Sequence, residues 1–368
     1  MEEKLNVGII GCGVISDIYL QNLTTIFKNV SVIACADLIV EKAKQAADKY
    51  QIAQASGVDD LLNNEAVDII VNLTIPQAHA EVATQALMKG KHVFEEKPLA
   101  ISTDQGKTLV ALSKQEKLHL CCAPDTFLGA GYQTARKIID DGWIGEVVGV
   151  SAFMGYGGPE SWHPNPAFLY KKGAGPLLDI GPYYLTALVA LFGPIETVAG
   201  LAKMTFPKRT ITSQPLYGEQ ITVEEPTHVN ALLKFHSGVQ AQLTTSFDVA
   251  GTSLPNIEVY GTQGTLILPD PNTYGGPIKI LHKKQNTWCD LPLLYGYQTN
   301  SRGLAVADLA AAIKGNRKPR TDASLGLHVL ETMHGIKNSS ESGTIYTVES
   351  TCERPQPFDL GMLDGIIA

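Results

Sequence analysis

The chain has 368 residues and a formal net charge of −8, and a length of this order predicts about two domains. Hydrophobic residues at 44% with charged residues at 18% describe a globular chain rather than a disordered one. The acidic balance excludes a global attraction to nucleic acid or to an anionic membrane. Glu2 and Glu3 ahead of the first apolar run read as the reverse of a secretory leader, and the apolar runs are strand-length, too short to span a bilayer.

The first third alternates strand and helix signals. Leu5 to Ile10 is a branched apolar run, and Val14 to Phe27 has helical spacing. Val30 to Ala36 predicts a second strand, and Val40 to Tyr50 a Lys- and Ala-rich helix. Val67 to Leu73 is a third strand, and Gln77 to Lys89 a helix stopped at Gly90. His92 to Phe94 begins a strand that runs into Glu95-Glu96-Lys97-Pro98. Ser102 to Gln105 is a capping box, and Leu118 to Cys122 closes the series. Strands separated by such helices predict βαβ units and a parallel sheet. After Pro124 and a helix over Leu128 to Asp140 the pattern changes. The runs Val147–Met154, Val198–Thr205, His228–Phe235, Val239–Phe247, Ile257–Tyr260, Thr265–Leu268 and Ile278–His282 predict a mostly antiparallel sheet with one face solvated or covered by a partner. A helix is expected over Leu177 to Phe192, and two more over Gly303 to Ile313 and Ser324 to Ser340. The basic stretch Gly315 to Arg320 between them reads as a solvated loop. The expected domains are residues 1–123 and 124–368.

The six cysteines show no CxxC spacing, so no zinc or redox motif and no metal is expected, and the compartment predicted is a reducing cytoplasm. Cys121 and Cys122 read as small core residues. Gly11-Cys12-Gly13-Val14-Ile15-Ser16 stands between the first strand and the first helix. Gly11 allows a tight turn, Gly13 lets the backbone approach a pyrophosphate, and Ser16 keeps the helix near the strand. The helix N-terminus offers N–H groups and partial positive charge to phosphate. Asp37, at the end of the second strand, is placed to accept hydrogen bonds from ribose hydroxyls and to repel a 2′-phosphate. Its other reading is a helix N-cap. No Arg follows it, which favours NAD over NADP. This predicts a Rossmann domain.

Three motifs together carry a family resemblance. They are the G-x-G-x-x-S turn, Glu96-Lys97-Pro98, and Gly173-Ala174-Gly175-Pro176-Leu177-Leu178-Asp179-Ile180-Gly181-Pro182-Tyr183. The chain resembles the Gfo/Idh/MocA family, glucose–fructose oxidoreductase, inositol dehydrogenase and their relatives. The resemblance implies an α/β chain with an N-terminal Rossmann doubly wound parallel sheet and a C-terminal α+β domain carrying a large, mostly antiparallel open sheet. It implies that Lys97 polarises a reacting hydroxyl, that the Lys97-Pro98 bond is cis, that Asp179 hydrogen-bonds substrate, and that Glu96 lies near the nicotinamide ribose. It also implies that Thr74, Pro76 and His79 form a loop beside the cofactor, with altered spacing, and that Asp125 stands beside the nicotinamide. Tyr183 departs from the His most members place there. A phenol with a reference pKa near 10 is moved toward phenolate by a neighbouring cation, so a Tyr–Lys pair can take a hydroxyl proton.

The loop before Asp179 supplies substrate candidates. Trp162, His163 and Tyr170 suit a sugar, whose ring face stacks and whose hydroxyls need partners. His163 is the second acid/base candidate. The expected function is NAD-dependent hydride transfer at a secondary alcohol carbon of a sugar, polyol or related cyclic compound, in a homodimer or homotetramer joined through the C-terminal sheet. Two other readings stay open: an NAD-dependent glycosidase or lyase working through transient oxidation, and a non-catalytic dinucleotide-binding regulator.

Overall fold

The computed structural model describes residues 4–362, 365 and 367. The chain folds as two compact units. One comprises Met1–Gln133, Leu294–Leu330 and Pro355–Ala368. The other comprises Thr134–Leu293 and Glu331–Arg354.

The first unit holds a six-stranded parallel sheet among its described residues, in the order β3-β2-β1-β4-β5-β6. Its strands are β1 (Leu5–Ile10), β2 (Val30–Ala36), β3 (Gln54–Ser56), β4 (Ile69–Asn72), β5 (His92–Glu95) and β6 (Leu120–Cys122). The intervening helices are α1 (Ser16–Thr25), α2 (Val40–Tyr50), α3 (Val58–Leu62), α4 (Pro76–Met88) and α5 (Thr103–Gln115). β4 is buried throughout, as a strand covered on both faces requires. Pro76 opens α4 at a position that needs no N–H, and Ser102 Oγ accepts the Gln105 N–H at 3.3 Å to cap α5. Cys121 and Cys122 fill the core.

Register fixes where the loops leave this sheet. Ala36, Ile10, Asn72, Glu95 and Cys122 lie side by side across its carboxyl edge. The segments that leave this row therefore begin at Asp37, Gly11, Leu73, Glu96 and Ala123. That edge, at the point where strand order reverses between β1 and β4, is where open α/β sheets bind ligands.

His92 opens β5 at the opposite edge and stacks on His119 at 5.4 Å. Burial, with His119 beside it, pushes the His92 imidazole down to about 4. An unfolded histidine takes up its proton near pH 6.5. Between about pH 6.5 and 4 the unfolded chain thus binds the extra proton, and stability falls as pH drops through that window. Chemical denaturation at pH 7 and pH 4.5 should show a larger loss for the native chain than for His92→Asn. Equal losses would remove His92 from the acid response.

The second unit is built on a nine-stranded sheet among its described residues. It contains β7 (Val147–Gly155), β8 (Ile195–Lys203), β11 (His228–Phe235), β12 (Gln240–Ser246), β13 (Ile257–Gly261), β14 (Gly264–Leu268), β15 (Ile278–His282), β16 (Cys289–Leu291) and β17 (Tyr346–Thr347). Short β9 (Lys208–Thr210) and β10 (Gln220–Thr222) pair separately. The order is β16-β15-β14-β13-β7-β12-β11-β8-β17, and only β7 and β12 pair in parallel. β11 alternates buried Val229, Ala231, Leu233 and Phe235 with exposed Asn230, Leu232 and Lys234, the mark of a sheet packed on one face. A Cβ on Gly200 of β8 would stand 2.2 Å from Ile336 O, so a helix backbone lies directly against the sheet there. The outer face leaves Leu201 and Leu232 exposed.

The helix expected over Leu177 to Phe192 is two: α7 (Gly175–Asp179) and α8 (Gly181–Phe192), meeting at Ile180. Pro182 lacks the N–H that would continue the ladder into α7. The basic 315–320 stretch is only partly a solvated loop: Gly315, Asn316 and Lys318 are exposed, but Arg317 and Arg320 turn inward. Asp308 of α9 (Leu304–Gly315) is wholly buried, and Arg317 and Arg320 both donate to it, at 2.7 and 2.5 Å. A buried carboxylate needs such partners.

Candidate active site

The dinucleotide turn comes straight off β1. Gly11 has φ +98°, and a Cβ there would lie 2.7 Å from the Leu73 carbonyl, so only glycine fits. Gly13 faces open space, with no heavy atom within 4 Å of a Cβ built on it. Ser16 Oγ donates to Gly13 O at 2.6 Å, which ties the turn to α1. The Asp37 carboxylate is aimed at the turn: Oδ2 accepts the Cys12 N–H at 2.8 Å and Oδ1 the Ile39 N–H at 2.9 Å. It serves as a turn anchor and leaves its half-exposed edge to the cleft. Around it Val14 and Leu38 are 98% and 93% exposed, and Ile75 is bare too. Three apolar side chains on one sheet edge, beside an open glycine, fit a dinucleotide's phosphates and flat rings.

The next two loops share one wiring residue. Asn72 is buried at the end of β4. Its Oδ1 accepts from Thr74 Oγ1 at 2.7 Å, and its Nδ2 donates to His79 O and to Glu95 Oε2, at 3.2 and 3.3 Å. Burial pushes the Glu95 carboxyl well above the usual carboxylate range, which favours its neutral form. The Glu96 carboxylate is clamped by Tyr19 Oη at 2.7 Å and by the Lys97 N–H at 3.0 Å. Lys97 follows, half-buried, and the Lys97-Pro98 bond is cis. In the sequence Asn72 shows only as the start of an Asn-Leu-Thr sequon in a buried strand, and nothing short of the register marks it as the junction.

Two residues expected at the cofactor are buried and hydrogen-bonded within the protein. His79 is wholly buried, with Nδ1 at 2.7 Å from Pro98 O and Nε2 at 3.1 Å from Thr74 O. Burial holds its imidazole below the ordinary value, so it is neutral. It straps the Thr74 turn to the Lys97-Pro98 turn. Asp125 is buried too, and its Oδ2 accepts the N–H groups of Gly303 and Ala305, both at 3.1 Å. It caps α9 from outside the helix.

In the second unit the Gly173–Tyr183 segment carries Asp179 at the end of α7 and Tyr183 one turn on, in the first turn of α8. Gly173 and Gly175 take positive φ, and the Gly173 N–H is held by Glu225 Oε1 at 2.7 Å. Asp179 is partly exposed and Tyr183 is 8% exposed. Tyr184 is excluded as an alternative: it is wholly buried, and its hydroxyl lies between Phe153 O and Asn256 Nδ2.

Tyr156, just beyond β7, is a candidate site residue that sequence reasoning missed. Burial raises its phenol, the neighbouring Asp179 and Glu160 carboxylates raise it further, and the nearby Trp162 side chain draws it back down. Trp162 is 61% exposed and stands edge-on to His163, which in turn meets Phe168, each pair at 5.4 Å. Tyr156, Asp179, Trp162 and His163 thus form one aromatic and acidic group. Tyr170 does not join it. It is wholly buried, donates to Glu160 Oε2 and lies under the Arg209 guanidinium. Arg209 bridges Glu160, Asp248 and the Gly157 and Phe247 carbonyls, which pins the loop that holds Tyr156 and Trp162.

Among the described residues, no group of three or more His, Cys, Asp and Glu is arranged to hold a metal, and no helix is long and apolar enough to cross a membrane.

Comparison with known proteins agrees with this geometry. Residues 5–123 match a family model described as "Oxidoreductase family, NAD-binding Rossmann fold", and residues 132–267 match the "GFO/IDH/MocA C-terminal domain". An inositol 2-dehydrogenase of Salmonella typhimurium is 34% identical over 145 residues, 39% of this chain and 43% of that protein. The chain thus spans less than half the length of the inositol dehydrogenases it matches. A D-xylose dehydrogenase of Paenarthrobacter nicotinovorans is 24% identical over 61% of this chain and 60% of its own. Among solved structures, an NAD binding oxidoreductase from Klebsiella pneumoniae superposes with a TM-score of 0.82 at 23% identity, over 94% of this chain and 99% of that one. A levoglucosan dehydrogenase in complex with NADH and L-sorbose does so with a TM-score of 0.81 at 19% identity, over 94% and 99%. With an NAD-binding Rossmann domain, a matching C-terminal domain and the motifs of both in place, the chain belongs to the GFO/IDH/MocA oxidoreductase family.

Proposed function

We propose that this chain is an NAD-dependent dehydrogenase acting on a secondary alcohol carbon of a sugar, polyol or related cyclic compound. The observation that carries the reading is Lys97 at the carboxyl edge of an NAD-binding Rossmann sheet, with its backbone fixed by a clamped Glu96. The names of the relatives support a carbohydrate or polyol substrate.

NAD, when bound, supplies the hydride acceptor. Gly11, Cys12, Gly13, Val14 and Ile15 receive its pyrophosphate at the start of α1, and Asp37 receives a ribose. Thr74, Pro76 and Glu96 border the same edge. The Lys97 ammonium donates to the reacting oxygen and stabilises the charge that grows there. Tyr183 takes the hydroxyl proton, with His163 as the runner-up for that role. Asp179 accepts from a substrate hydroxyl, and Tyr156 and Trp162 shape the same pocket. A pyranose or cyclitol has the apolar ring face an exposed Trp162 can cover.

The Asp37 carboxylate favours NAD over NADP. Replacing it with serine should raise kcat/KM with NADP relative to NAD by about tenfold or more, because a repelling charge near the 2′-phosphate is gone. An unchanged ratio, or a native preference for NADP, would contradict this. The test of the function itself is a panel of polyols and sugars with NAD, followed by nicotinamide absorbance; turnover on at least one cyclic polyol or sugar is expected.

The outer face of the second unit's sheet, with Leu201 and Leu232 exposed, supports a homodimer or homotetramer formed through it. Six free cysteines support a reducing, cytoplasmic setting.

A further inference from the structure

We propose that the cavity between the end of α5 and residues 316–324 is a second ligand site, one that takes a small phosphate monoester. The cavity holds about 290 Å³, and its walls belong wholly to the first unit. They include Lys114 from the last turn of α5, His119 just ahead of β6, and Asn316, Arg317 and Lys318 from the segment after α9. The cavity lies by the amino end of β6, whereas the dinucleotide turn and Lys97 leave the carboxyl edge of the same sheet. The proposal goes beyond the NAD reading and does not depend on it.

Three polar side chains of that wall are unengaged. Among the described residues, the Lys114 ammonium, the two His119 ring nitrogens and the Asn316 side-chain amide make no hydrogen bond or ion pair. His119 is half-buried and stacked on His92 at 5.4 Å, which holds its ring in place. The lysines and arginine of the wall are three cations against one carboxylate, Asp322, in a chain whose formal net charge is −8. Asp322 is already served. It accepts the Ser324 N–H at 3.0 Å and the Ser324 hydroxyl at 2.5 Å, and Lys318 stands 3.5 Å away. Arg317 shares the Asp308 carboxylate with Arg320, so its charge is not cancelled one for one. What the cavity has left over is positive charge and unused donors.

A phosphate monoester answers each feature. Its dianion offers three terminal oxygens, enough for an ammonium, an imidazole N–H and an amide N–H at once, and charge-assisted bonds of this kind are the strong ones. Val110, Leu118 and Leu120 give the same cavity an apolar side for the organic part. A volume at the low end of ligand pockets suits a single sugar phosphate.

Ribose 5-phosphate is titrated into the full-length chain by calorimetry, with and without NADH, beside ribose and inorganic phosphate. We expect one saturable site with a Kd below about 1 mM, unchanged by NADH, weaker by about fivefold or more with inorganic phosphate and absent with ribose. Lys114→Glu should weaken it by about tenfold or more, and His119→Phe, which keeps the stacked ring and removes its nitrogens, by about threefold or more. Lys89 is exposed and outside the cavity, so Lys89→Glu makes the same change in net charge and should move the Kd by less than about twofold. Melting temperatures of the three variants without ligand check that they are folded. On the native chain, saturating ribose 5-phosphate should slow acetylation of Lys114 by an N-hydroxysuccinimide ester, read by peptide mass, and leave Lys89 unaffected. No saturable binding, equal weakening by Lys89→Glu, or no protection of Lys114 would overturn the proposal. Displacement by NADH would overturn it too, since the ligand would then lie at the dinucleotide turn. Inorganic phosphate binding as tightly as the ester would overturn the monoester assignment.

Discussion

Replacing Lys97 with methionine is expected to lower kcat by about 10²- to 10⁴-fold while NADH binding changes by less than about threefold. The two readouts separate because the roles are separate. In the proposed reading the pyrophosphate and ribose are received by Gly11 to Ile15 and by Asp37, on the loops after β1 and β2, whereas Lys97 follows β5. Methionine keeps the length and the apolar stem of the lysine and removes the ammonium. What disappears is the proposed donor to the reacting oxygen. That donor contributes most when the oxygen carries the most negative charge, so the loss falls on kcat more than on KM. Arginine should not rescue it, since a planar fork does not replace a compact ammonium at one oxygen. Steady-state rates with the best substrate of the panel, beside an NADH titration, provide the check. A Lys97→Met chain with full kcat would remove Lys97 from the chemistry.

The second large effect is on stability. Arg209→Leu should destabilise the chain by about 3–5 kcal/mol, because it leaves two buried carboxylates without their cation. The side chains of Arg209, Glu160 and Asp248 are 7%, 12% and 6% exposed. Arg209 also donates to the Gly157 and Phe247 carbonyls, so its loss unties the loop after β7 from the end of β12. The melting temperature should fall by about 10 °C. Removing the exposed partner in the Lys171–Glu224 pair, by Lys171→Ala, should move it by about a degree or less. Because the same loop carries Tyr156 and Trp162, substrate KM should rise in Arg209→Leu even below its melting transition. A melting temperature equal to that of the native chain would contradict the account of this cluster.

The contrast between these two residues also marks what a sequence can disclose. Lys97 is legible because it sits in a local motif, at the end of a strand whose neighbours alternate with helices. The same regularity makes β1, β2, β4 and β5 and their helices readable, and with them Gly11, Gly13 and Asp37. Arg209 is not legible. Its partners lie 49 and 39 residues away, and charge pairs at such separations have no periodicity. Tyr170 looks like a ring for stacking on sugar, yet Glu160 and Arg209 draw it inward. Asp125 and His79 carry the right chemistry for a ligand, but a helix N-terminus and two carbonyls use it up. Tyr156 escapes notice because a lone tyrosine after a strand has no signature. Nor does composition announce that Leu294–Leu330 and Pro355–Ala368 fold with the first unit, since short-range patterns carry no record of where a chain returns.

The most direct measurement of the central claim uses a cyclic polyol or sugar that the panel finds active, carrying deuterium on the carbinol carbon. The native chain and NAD are mixed with it, and both products are analysed by mass. If this chain is a dehydrogenase, each ketone formed is matched by one reduced dinucleotide carrying the deuterium, and Lys97→Met forms almost none. A product that has lost a substituent with no net reduced dinucleotide would make it a glycosidase or lyase. Tight NAD binding without turnover on any compound, unaltered in Lys97→Met, would contradict the enzyme reading altogether.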